Sequence, residues 1–572
     1  MIYKWKILKV SDSQKASDLA REMGIHDIIA QLLINRGADS PEKVKKFFYP
    51  SLNDQYDPFL MSGMNLAVER AIRALERDEK IMVYGDYDVD GTTGAALLYM
   101  FFRELGADVD YYIPDRLKEG YGISVSGINY ALRNGCTLMV SVDCGVAASK
   151  EILYGKNRGL ETIVCDHHEV DALPEAVAVL DPIKPGCTYP FKYLSGCGVA
   201  YKFAKATSIQ LGKPDLPDKY LDLVAIAAAA DVVPLIDENR ILVQAGFKAI
   251  AEQPRAGIKA LMRSSHVDHR KLTTGQVSFI IAPKINAVGR LGDARRAVEL
   301  LVTDNEEVAE DFAQVLENEN SHRRMLDERT FLEAQELANE LVSIRNRNSL
   351  VLHKPNWHPG VIGIVAARIV EQYYRPTIML ATNDGVIKGS ARSIVGYDIF
   401  EAIKACGDLL IQFGGHKYAA GLSMNPENLD AFVEAFEGVV SSTLDDELKT
   451  PVLEIDALLD LNTINAEFMN MLKQFEPFGP QNPRPTFLSR GLFLSDARML
   501  NGSHLKMKVK VNGVTYDAIK FRNGESNVGV GDYLDMVYSL DENHYAGNIF
   551  YQLQVKDYKK QNKFWRNKNV GT

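Results

Sequence analysis

From Lys80 onward, short apolar runs alternate with segments that are long enough to form helices. The runs cover residues 81–84, 109–113, 138–142, 162–165 and 177–180. Continuous apolar runs of this length are typical of strands that are buried on both faces, as in parallel sheets covered by helices. We therefore predict an α/β fold, with a Rossmann-like parallel-sheet domain over residues 76–304.

Acidic side chains follow each of these predicted strands. They are Asp86, Asp88, Asp90, Asp115, Asp143, Asp166 and Asp181, and Asp166 is followed by His167 and His168. Open parallel sheets bind ligands outside the carboxyl ends of their strands, so we expect these groups to converge in one crevice. Asp231, which follows the apolar stretch 221–230, is a further candidate. Carboxylates gathered in this way repel each other unless cations lie between them.

The donor types indicate which cation would bind. Carboxylate oxygens with one or two imidazoles and no thiolate suit Mn²⁺ or Mg²⁺ better than a structural zinc ion. A cluster of this size has donors for two ions, which can bridge a phosphate and activate a water molecule. Helix caps and strand-end turns are the alternative for any single residue. A calcium loop is the other alternative, but Leu97 occupies the position where an EF-hand has glutamate.

The rest of the chain divides by its pattern. We predict an N-terminal helical arm over residues 1–75, a linking helix over 305–346, a second α/β unit over 347–449, a small β-barrel over 450–558 and a basic tail over 559–572. The linking segment contains neither Pro nor Gly. Its middle, residues 317–324, is polar all round, which predicts a helix that bridges solvent between domains.

Composition excludes several classes of protein. The 572 residues include 65 Lys and Arg against 75 Asp and Glu, so any nucleic-acid binding must come from local patches rather than a basic coat. The six cysteines form no C-x-x-C pair, which indicates a reducing compartment. No apolar stretch has the length of a membrane span, and the N-terminus lacks the pattern of a signal peptide. We expect a soluble protein of the cytoplasm.

Several motifs together carry a family resemblance. Residues 86–91 (DYDVDG), 141–145 (SVDCG) and 166–169 (DHHE) resemble the DHH phosphoesterase superfamily. Residues 230–235 (ADVVPL), 283–292 (PKINAVGRLG) and 414–416 (GGH) resemble its RecJ branch. The resemblance extends from about Leu32 to about Tyr558. It implies a DHH domain, a DHHA1 domain and a barrel of the oligonucleotide-binding (OB) type.

The resemblance also implies an activity and a site. RecJ proteins are exonucleases that degrade single-stranded DNA from 5′ to 3′ with Mn²⁺ or Mg²⁺. By matching positions, the metal ligands would be Asp88, Asp90, Asp143, His167 and Asp231. The other catalytic residues would be Asp86, Asp166, His168 and Arg290. The implied reaction is two-metal hydrolysis of a phosphodiester without a covalent enzyme intermediate.

Substrate-binding residues are expected in two further places. Asn286 and Arg290 are predicted to lie on a turn beside the metals, where the guanidinium would hold a phosphate. The second α/β unit resembles the DHHA1 domain, and its candidates are His358, Gly360, Gly363, Arg368, Lys388, Ser390, Arg392, Ser393, Gly414, Gly415 and His416. Glycines at a helix start allow close approach of an anion to the backbone. The alternative for Gly360 and Gly363 is helix packing alone.

The predicted barrel has its own candidates. Lys506, Lys508 and Lys510 alternate along one strand and therefore share one face. A solvated edge strand defended by lysines is one explanation. Strand binding through charge and stacking is the other, with Tyr516, Phe521 and Tyr551 as the aromatic side chains.

The resemblance further implies partners and a cellular role. These are single-stranded DNA, a single-strand-binding protein and a helicase, for a monomer that acts in DNA repair and recombination. One alternative is a DHH-family phosphodiesterase of short oligoribonucleotides or cyclic dinucleotides, although such relatives generally lack the barrel. The other is a catalytically silent single-strand-binding scaffold, which should have lost metal ligands that this chain retains.

Overall fold

The computed structural model describes residues 3–8, 13–116, 118–170, 172–291, 293–383, 385–501, 503–521, 528–545 and 548–561. The chain forms two units. The first contains the residues up to Tyr49, residues 450–476 and the chain from Asn482 onward, and the second contains residues 50–449 and 477–481. None of the described helices combines the length and the apolar character that a membrane crossing requires.

The first unit begins with β1 (Lys4–Ile7), α1 (Ser13–Met23), α2 (Asp27–Ile34) and α3 (Pro41–Phe48). The side chain of Ser40 caps α3 by accepting a hydrogen bond from the Lys43 N–H, and Pro41 lies in the first turn, where its missing N–H has no intrahelical partner to lose. The segment predicted as one helical arm, residues 1–75, is divided between the two units after Tyr49. It also begins with a strand rather than a helix.

The second unit contains the predicted parallel sheet. Its elements are α4 (Met64–Glu76), β2 (Ile81–Gly85), α5 (Val89–Glu104), β3 (Val109–Tyr112), α6 (Val125–Arg133), β4 (Leu138–Val142), α7 (Ser149–Lys156), β5 (Glu161–Cys165) and β6 (Ala178–Leu180). The strand order is β3-β2-β4-β5-β6, and all neighbours are parallel. Ile81 and Val83 pack in one core and Met82 and Tyr84 in another, so both faces are covered. The winding direction reverses between β2 and β4, which is where such sheets bind ligands.

A helical region completes this domain. It consists of α8 (Gly196–Gln210), α9 (Leu221–Ala230), α10 (Asp237–Glu252), α11 (Ala256–Ser264), α12 (Thr274–Gln276), a π-helical turn (Val277–Ile281), α13 (Ala282–Leu291) and α14 (Arg295–Val302). The prediction of a turn at Asn286 and Arg290 is wrong, because both residues lie on α13. Pro283 cannot donate the backbone hydrogen bond of a regular helix, but a wider π-helical turn directly precedes α13 and the helix continues past the proline.

The linking helix is α15 (Glu306–Ser343), a single helix of 38 residues. The prediction that its polar middle bridges solvent is wrong, because Asn320 is 2% exposed and Arg323 is 9% exposed. Glu317 forms an ion pair with the buried Lys284 of α13. One face of the polar middle therefore packs inward with Asn320 and Arg323, while Arg324 on the other face has a side chain that is 58% exposed.

The second α/β domain follows in the same unit. Its elements are β7 (Leu350–His353), α16 (Pro359–Tyr373), β8 (Thr377–Asn383), β9 (Val386–Arg392), α17 (Ile399–Lys404), β10 (Gln412–His416), β11 (Ala419–Met424) and α18 (Leu429–Thr443). The strand order is β10-β11-β9-β8-β7. Only the pair β7–β8 is parallel, so the sheet is mixed.

The first unit ends in the predicted barrel. Its elements are β12 (Val452–Ile455), β13 (Ala457–Leu458), α19 (Ala466–Lys473), β14 (Phe487–Leu500), β15 (His504–Val511), β16 (Val514–Lys520), β17 (Tyr533–Tyr545) and β18 (Asn548–Lys560). Pairing in the order β14-β15-β16-β18-β17 and back to β14 closes the barrel. The last strand includes Lys559 and Lys560, which the predicted boundary places in the basic tail, and residues 562–572 of that tail lie outside the described residues.

Candidate metal centre and phosphate-binding groups

The loop between β2 and α5 carries the first acidic motif. Asp88 is the N-cap of α5, and its side chain accepts a hydrogen bond from the Gly91 N–H at 3.1 Å. A Cβ atom on Gly91 would lie 2.5 Å from the backbone of Asp86, so only glycine fits there. Asp90, in the first turn of α5, accepts hydrogen bonds from the N–H groups of Gly196 and Cys197 at 2.6 and 2.8 Å. The turn therefore directs three carboxylates to the carboxyl end of the sheet.

Asp143 directly follows β4, the neighbour of β2. Its backbone has a φ of 61°, in the left-handed region that non-glycine residues rarely adopt. A Cβ atom on Gly196 would lie 2.6 Å from the Cβ of Asp143, so the start of α8 packs tightly beneath this residue. Strained backbone of this kind is common at functional sites, where the surrounding structure holds it in place.

His167 joins these groups to Asp231. Its Nε2 lies 3.1 Å from Asp143 Oδ1, 3.7 Å from Asp90 Oδ2 and 3.8 Å from Asp231 Oδ2. Three sets of donor atoms lie within 4.8 Å of one another: Asp86, Asp88 and Asp143; Asp90, His167 and Asp231; and Asp143, His167 and His168. The structure thus brings together the five residues predicted as metal ligands with Asp86 and His168.

Asp166 has a different position from these donors. Its carboxylate accepts hydrogen bonds from the N–H groups of Val146, His167 and His168, and lies 2.7 Å from Nδ1 of the His168 ring. Burial lowers the pKa of His168, but the hydrogen bond and charge of Asp166, with the charges of Asp231 and Asp90, outweigh it and raise the pKa to about 9. Asp166 therefore orients the two histidines through hydrogen bonds without itself belonging to the donor sets.

The electrostatics of the cluster fit bound cations. Burial and then the charges of neighbouring aspartates raise the pKa values of Asp86, Asp143 and Asp231 well above the usual range. Both carboxylate oxygens of Asp86 are buried and without a hydrogen-bond partner among the described residues. Burial lowers the pKa of His167, which favours the neutral ring that metals bind. Oxygen donors with neutral imidazole suit Mn²⁺ or Mg²⁺.

Besides Asp166, two strand-end carboxylates do not belong to these donor sets. Asp181 accepts a hydrogen bond from the Ile183 N–H in the turn after β6, and burial is the main reason that its pKa is raised to about 6. Asp115 accepts a hydrogen bond from the Lys118 N–H in the loop after β3. The expectation that all five strand ends contribute is therefore wrong, because β3 and β6 lie at the edges of the sheet.

Helix α13 brings Asn286 and Arg290 to the motif loop. The side chain of Asn286 accepts a hydrogen bond from the Val89 N–H at 3.0 Å. A Cβ atom on Gly289 would lie 2.5 Å from the Tyr87 carbonyl oxygen, so glycine allows this close approach. Nη1 of Arg290 donates to the Gly360 carbonyl at 3.2 Å. Burial, and then the charges of Arg116 and Arg323, lower the pKa of Arg290 to about 10.

The DHHA1-like domain contributes candidate phosphate-binding groups at the start of α16 and on the adjacent strand β9. His358 caps α16, and its Nδ1 accepts a hydrogen bond from the Gly360 N–H at 3.0 Å. A Cβ atom on Gly363 would lie 2.9 Å from Ser390 Oγ, which places α16 against β9. Nη1 of Arg392 donates to that same Oγ at 3.2 Å. Burial, and then the charge of Arg116, lower the pKa of Arg392.

Arg368 has another role than the one predicted for it. Its guanidinium pairs with Asp327 at 3.2 Å and with Glu328 at 2.9 Å, both on α15. It also lies 3.8 Å from the centre of the Phe331 ring. Because two carboxylates already neutralise this charge, Arg368 fastens α16 to α15 instead of facing a phosphate.

The other candidates of this domain lie in three places. Ser393 follows β9, and its Oγ donates to the Tyr397 carbonyl. Lys388 is exposed on β9. Gly414, Gly415 and His416 are exposed on β10, which forms the edge of the sheet.

The barrel lysines follow the predicted alternation. Leu505, Met507 and Val509 are buried along β15, so Lys506, Lys508 and Lys510 share the outer face. Tyr516 does not belong with the stacking candidates, because it is buried and its hydroxyl donates to the Leu461 carbonyl. Phe521 is 54% exposed.

Two residues of the loop after β3 were not predicted. Arg116 lies with its guanidinium 4.9 Å from the centre of the Tyr87 ring. The hydroxyl of Tyr121 donates to the Asp143 carbonyl at 3.2 Å and lies 3.4 Å from the His168 ring nitrogens. Arg116 follows a strand-end aspartate in the sequence, which was the one available signal.

Comparisons with known proteins agree with this architecture. The DHH family, N-terminal domain model matches residues 80–228, the DHHA1 domain model matches residues 346–442 and the RecJ OB domain model matches residues 455–557. The single-stranded-DNA-specific exonuclease RecJ of Bacillus subtilis is 37% identical over 561 residues, which are 97% of this chain and 70% of that protein.

Two solved structures are similar over most of the chain. The crystal structure of RecJ from Thermus thermophilus in complex with Mn²⁺ has a TM-score of 0.85 at 30% identity and covers 98% of this chain and 80% of that one. The structure of the same protein with Mg²⁺ has a TM-score of 0.80 at 29% identity and covers 98% of this chain and 79% of that one. The chain therefore belongs to the RecJ family of single-stranded-DNA-specific exonucleases.

Proposed function

We propose that this protein is a metal-dependent exonuclease that hydrolyses single-stranded DNA from its 5′ end to mononucleotides. The observation that carries the proposal is the convergence of Asp86, Asp88, Asp90, Asp143 and Asp231 with two histidines at the switch point of a parallel sheet. Mn²⁺ and Mg²⁺ are bound in the similar structures of the Thermus protein. The same cations suit the donors present here.

The proposed cation ligands are Asp88, Asp90, Asp143, His167 and Asp231, with Asp86 and His168 beside them. Two divalent cations would bind the scissile phosphate, supply a nucleophile at neutral pH and stabilise the charge that develops on its oxygens. Asp143 and His167 each belong to two of the three donor sets, and Asp143 is the better placed to serve both ions because a carboxylate has two donor oxygens. Asp166 orients His167 and His168 through its hydrogen bonds.

Cationic side chains around the cluster would hold the strand. Arg116, Arg290 and Arg392 have no carboxylate within ion-pair distance among the described residues, which leaves their guanidiniums available for phosphate oxygens. Ser390 and the start of α16 would add hydrogen-bond donors. The hydrogen bond from Arg290 to the Gly360 carbonyl connects the DHH and DHHA1 domains at this point. A narrow cleft between these two domains would admit a single strand and exclude a duplex.

Other parts of the chain have proposed roles as well. The outer lysines of β15, Lys506, Lys508 and Lys510, would bind phosphates of the strand. We also propose that the protein acts as a monomer in the cytoplasm, in DNA repair and recombination. It would act there on strands that a helicase exposes and that a single-strand-binding protein covers.

The metal mechanism can be tested with Asp143→Asn. The change removes a charge from two donor sets, so hydrolysis in Mn²⁺ should fall by several orders of magnitude, while the melting temperature measured in chelator is retained. Asp181→Asn is the matched control. It removes the same type of charge, also at the carboxyl end of a strand of this sheet, but Asp181 lies outside the donor sets. Activity of the unchanged protein should vanish in chelator and return with Mn²⁺ or Mg²⁺. Full activity of Asp143→Asn, or of the unchanged protein in excess chelator, would refute the mechanism.

A further inference from the structure

The middle of α15 contains a buried polar pair that the proposed function does not yet use. Asn320 is 2% exposed and Arg323 is 9% exposed, although both belong to the most polar stretch of the helix. Nε and Nη2 of Arg323 donate to Asn320 Oδ1 at 3.2 and 3.1 Å. The neighbouring Arg324 has a side chain that is 58% exposed and pairs with Glu317. The helix therefore turns one arginine inward and the next one outward.

The inward arginine lies close enough to Arg290 for the two charges to interact. Glu317 of α15 pairs with Lys284 of α13, and six residues later on each helix stand Arg323 and Arg290. Six residues advance each helix by about 9 Å. Arg290 donates to the carbonyl of Gly360 at the start of α16, and Arg368 of α16 pairs with Asp327 and Glu328 of α15. The charge of Arg323 is one of the causes that lower the pKa of Arg290. The charge of the adjacent His322 likewise lowers the pKa of His358, after burial, at the start of α16.

Arg323 differs from two other cations that pair with residues of this helix in having no counter-charge at hydrogen-bond distance. Lys284 pairs with Glu317, and Arg368 pairs with Asp327 and Glu328. Among the described residues, no carboxylate lies within ion-pair distance of Arg323, and its only side-chain partner is a neutral amide. Burial lowers the pKa of Arg323 and the charge of Asp327 opposes this, but Asp327 pairs with Arg368. A buried guanidinium beside a second one is unfavourable unless an anion binds there.

We propose that Arg323 is a further substrate-binding residue, which binds a phosphate of the DNA strand together with Arg290, and that Asn320 positions its guanidinium. This inference rests on the proposed function, because the anion is taken to be part of the strand. It makes the linking helix a wall of the active site as well as a connection between domains. A phosphate between the two guanidiniums would neutralise their repulsion and accept charge-assisted hydrogen bonds from both.

The test is steady-state hydrolysis of a 5′-labelled single-stranded tetranucleotide in Mn²⁺ over a range of salt concentrations. Arg323→Gln should raise KM by about 10- to 100-fold, which corresponds to the loss of one hydrogen bond to a charged group, with little change in kcat. The slope of log kcat/KM against log salt should become shallower by about 0.7, since the variant neutralises one phosphate fewer on a single strand.

Three further variants separate binding from folding. Arg324→Gln is the matched control, because it removes the same charge one residue away on the exposed side, and it should keep the KM and the slope of the unchanged protein. Arg323→Lys keeps the charge, so it should restore the slope while KM stays raised. Asn320→Ala frees the guanidinium without removing it, and should raise KM at an unchanged slope. Melting temperatures of all variants show whether each one folds.

The outcomes distinguish the inference from the function on which it rests. An active protein in which Arg323→Gln leaves KM and the salt slope unchanged would overturn the inference alone. An equal loss of activity in Arg323→Gln and Arg323→Lys, with earlier melting and an unchanged slope, would also overturn it, because that pattern belongs to a packing role. Failure of the unchanged protein to hydrolyse the strand would overturn the proposed function and this inference with it.

Discussion

Asp86 is the residue in the donor sets whose environment is least favourable without cations. It is 1% exposed, it is close to the charge of Asp88, and both its oxygens are without a hydrogen-bond partner among the described residues. Asp86→Asn should therefore melt at or above the temperature of the unchanged protein when both are in chelator. With Mn²⁺ the order should reverse, because free Mn²⁺ at about 100 times its dissociation constant adds about 2.7 kcal/mol to a protein with an intact site.

Differential scanning calorimetry in chelator and in Mn²⁺ measures both midpoints, and Asp181→Asn again serves as the control. A lower midpoint for Asp86→Asn in both conditions would mean that this carboxylate stabilises the fold itself. The crossing of the two midpoints is the signature of a residue retained for its ligand rather than for stability.

At the residue scale, sequence reasoning works where a motif fixes local geometry. The spacing of Asp86, Asp88 and Asp90 follows from one tight turn, and Gly91 is needed there because a side chain would collide with the backbone of Asp86. Arg116 and Arg323, which we propose to bind phosphates, were not predicted from the sequence, because their positions depend on how a loop and a long helix pack in the folded chain. No local pattern distinguishes them from solvated arginines.

At the scale of elements, a buried ion pair joins α8 to α10. Nζ of Lys202 lies 2.6 Å from Glu238 Oε1, and the two side chains are 1% and 0% exposed. The other oxygen of Glu238 accepts a hydrogen bond from the Tyr189 hydroxyl at 2.6 Å. Glu238→Gln should lower the free energy of unfolding by about 3–5 kcal/mol, because it leaves the Lys202 ammonium buried without its counter-charge.

The matched control is Glu252→Gln on the same helix. Glu252 forms an exposed pair with Lys248 at 3.9 Å, and its loss should cost less than about 0.5 kcal/mol. Urea denaturation of both variants measures the difference. Equal effects of the two substitutions would contradict the view that burial determines the importance of this pair.

Predictability differs among the elements for a physical reason. The strands of the parallel sheet could be predicted because burial on both faces makes each one continuously apolar. Helix α13 was missed because Pro283 and Gly289 usually mark turns, whereas here a π-helical turn precedes the proline and the glycine admits the Tyr87 carbonyl. The packing of the polar middle of α15 was missed because polarity alone does not show whether a partner is water or another side chain.

At the scale of the whole molecule, the basic C-terminus can be tested separately from the barrel. Lys560 lies in β18 and pairs with Asp532, so a truncation must leave the chain intact through Gln561. The residues removed include Lys563, Arg566 and Lys568. If they bind phosphates, the slope of log affinity against log salt for a long single strand should become shallower by about 0.7 for each phosphate that is no longer bound.

Fluorescence anisotropy of the truncated and the full chain in chelator measures this slope. Hydrolysis of a tetranucleotide should barely change, because so short a strand offers few phosphates beyond the active site. An unchanged slope on the long strand would exclude a binding role for these residues. An equal loss on short and long strands would instead indicate damage to the barrel.

The order of domains and the presence of a small barrel could be predicted from motifs and turn signals, but the strand pairs that close the barrel could not. Closure depends on pairing between β14 and β17, for example Phe487 with Tyr538, whose positions are far apart in the sequence. The division of the chain after Tyr49 was also missed. It depends on the N-terminal strand β1, which pairs with β12 although the catalytic domains lie between the two strands in the sequence.

The most direct test of the central claim is a time course in Mn²⁺ on one single strand that is labelled at either end. We predict that the 5′ label appears early as mononucleotide while the 3′-labelled strand shortens progressively, and that the blunt duplex resists. Asp143→Asn should release no labelled mononucleotide and should leave the 3′-labelled strand at its full length. Early release of mononucleotide from the 3′ end alone, or internal cleavage that shortens both labelled strands at once, would contradict the account.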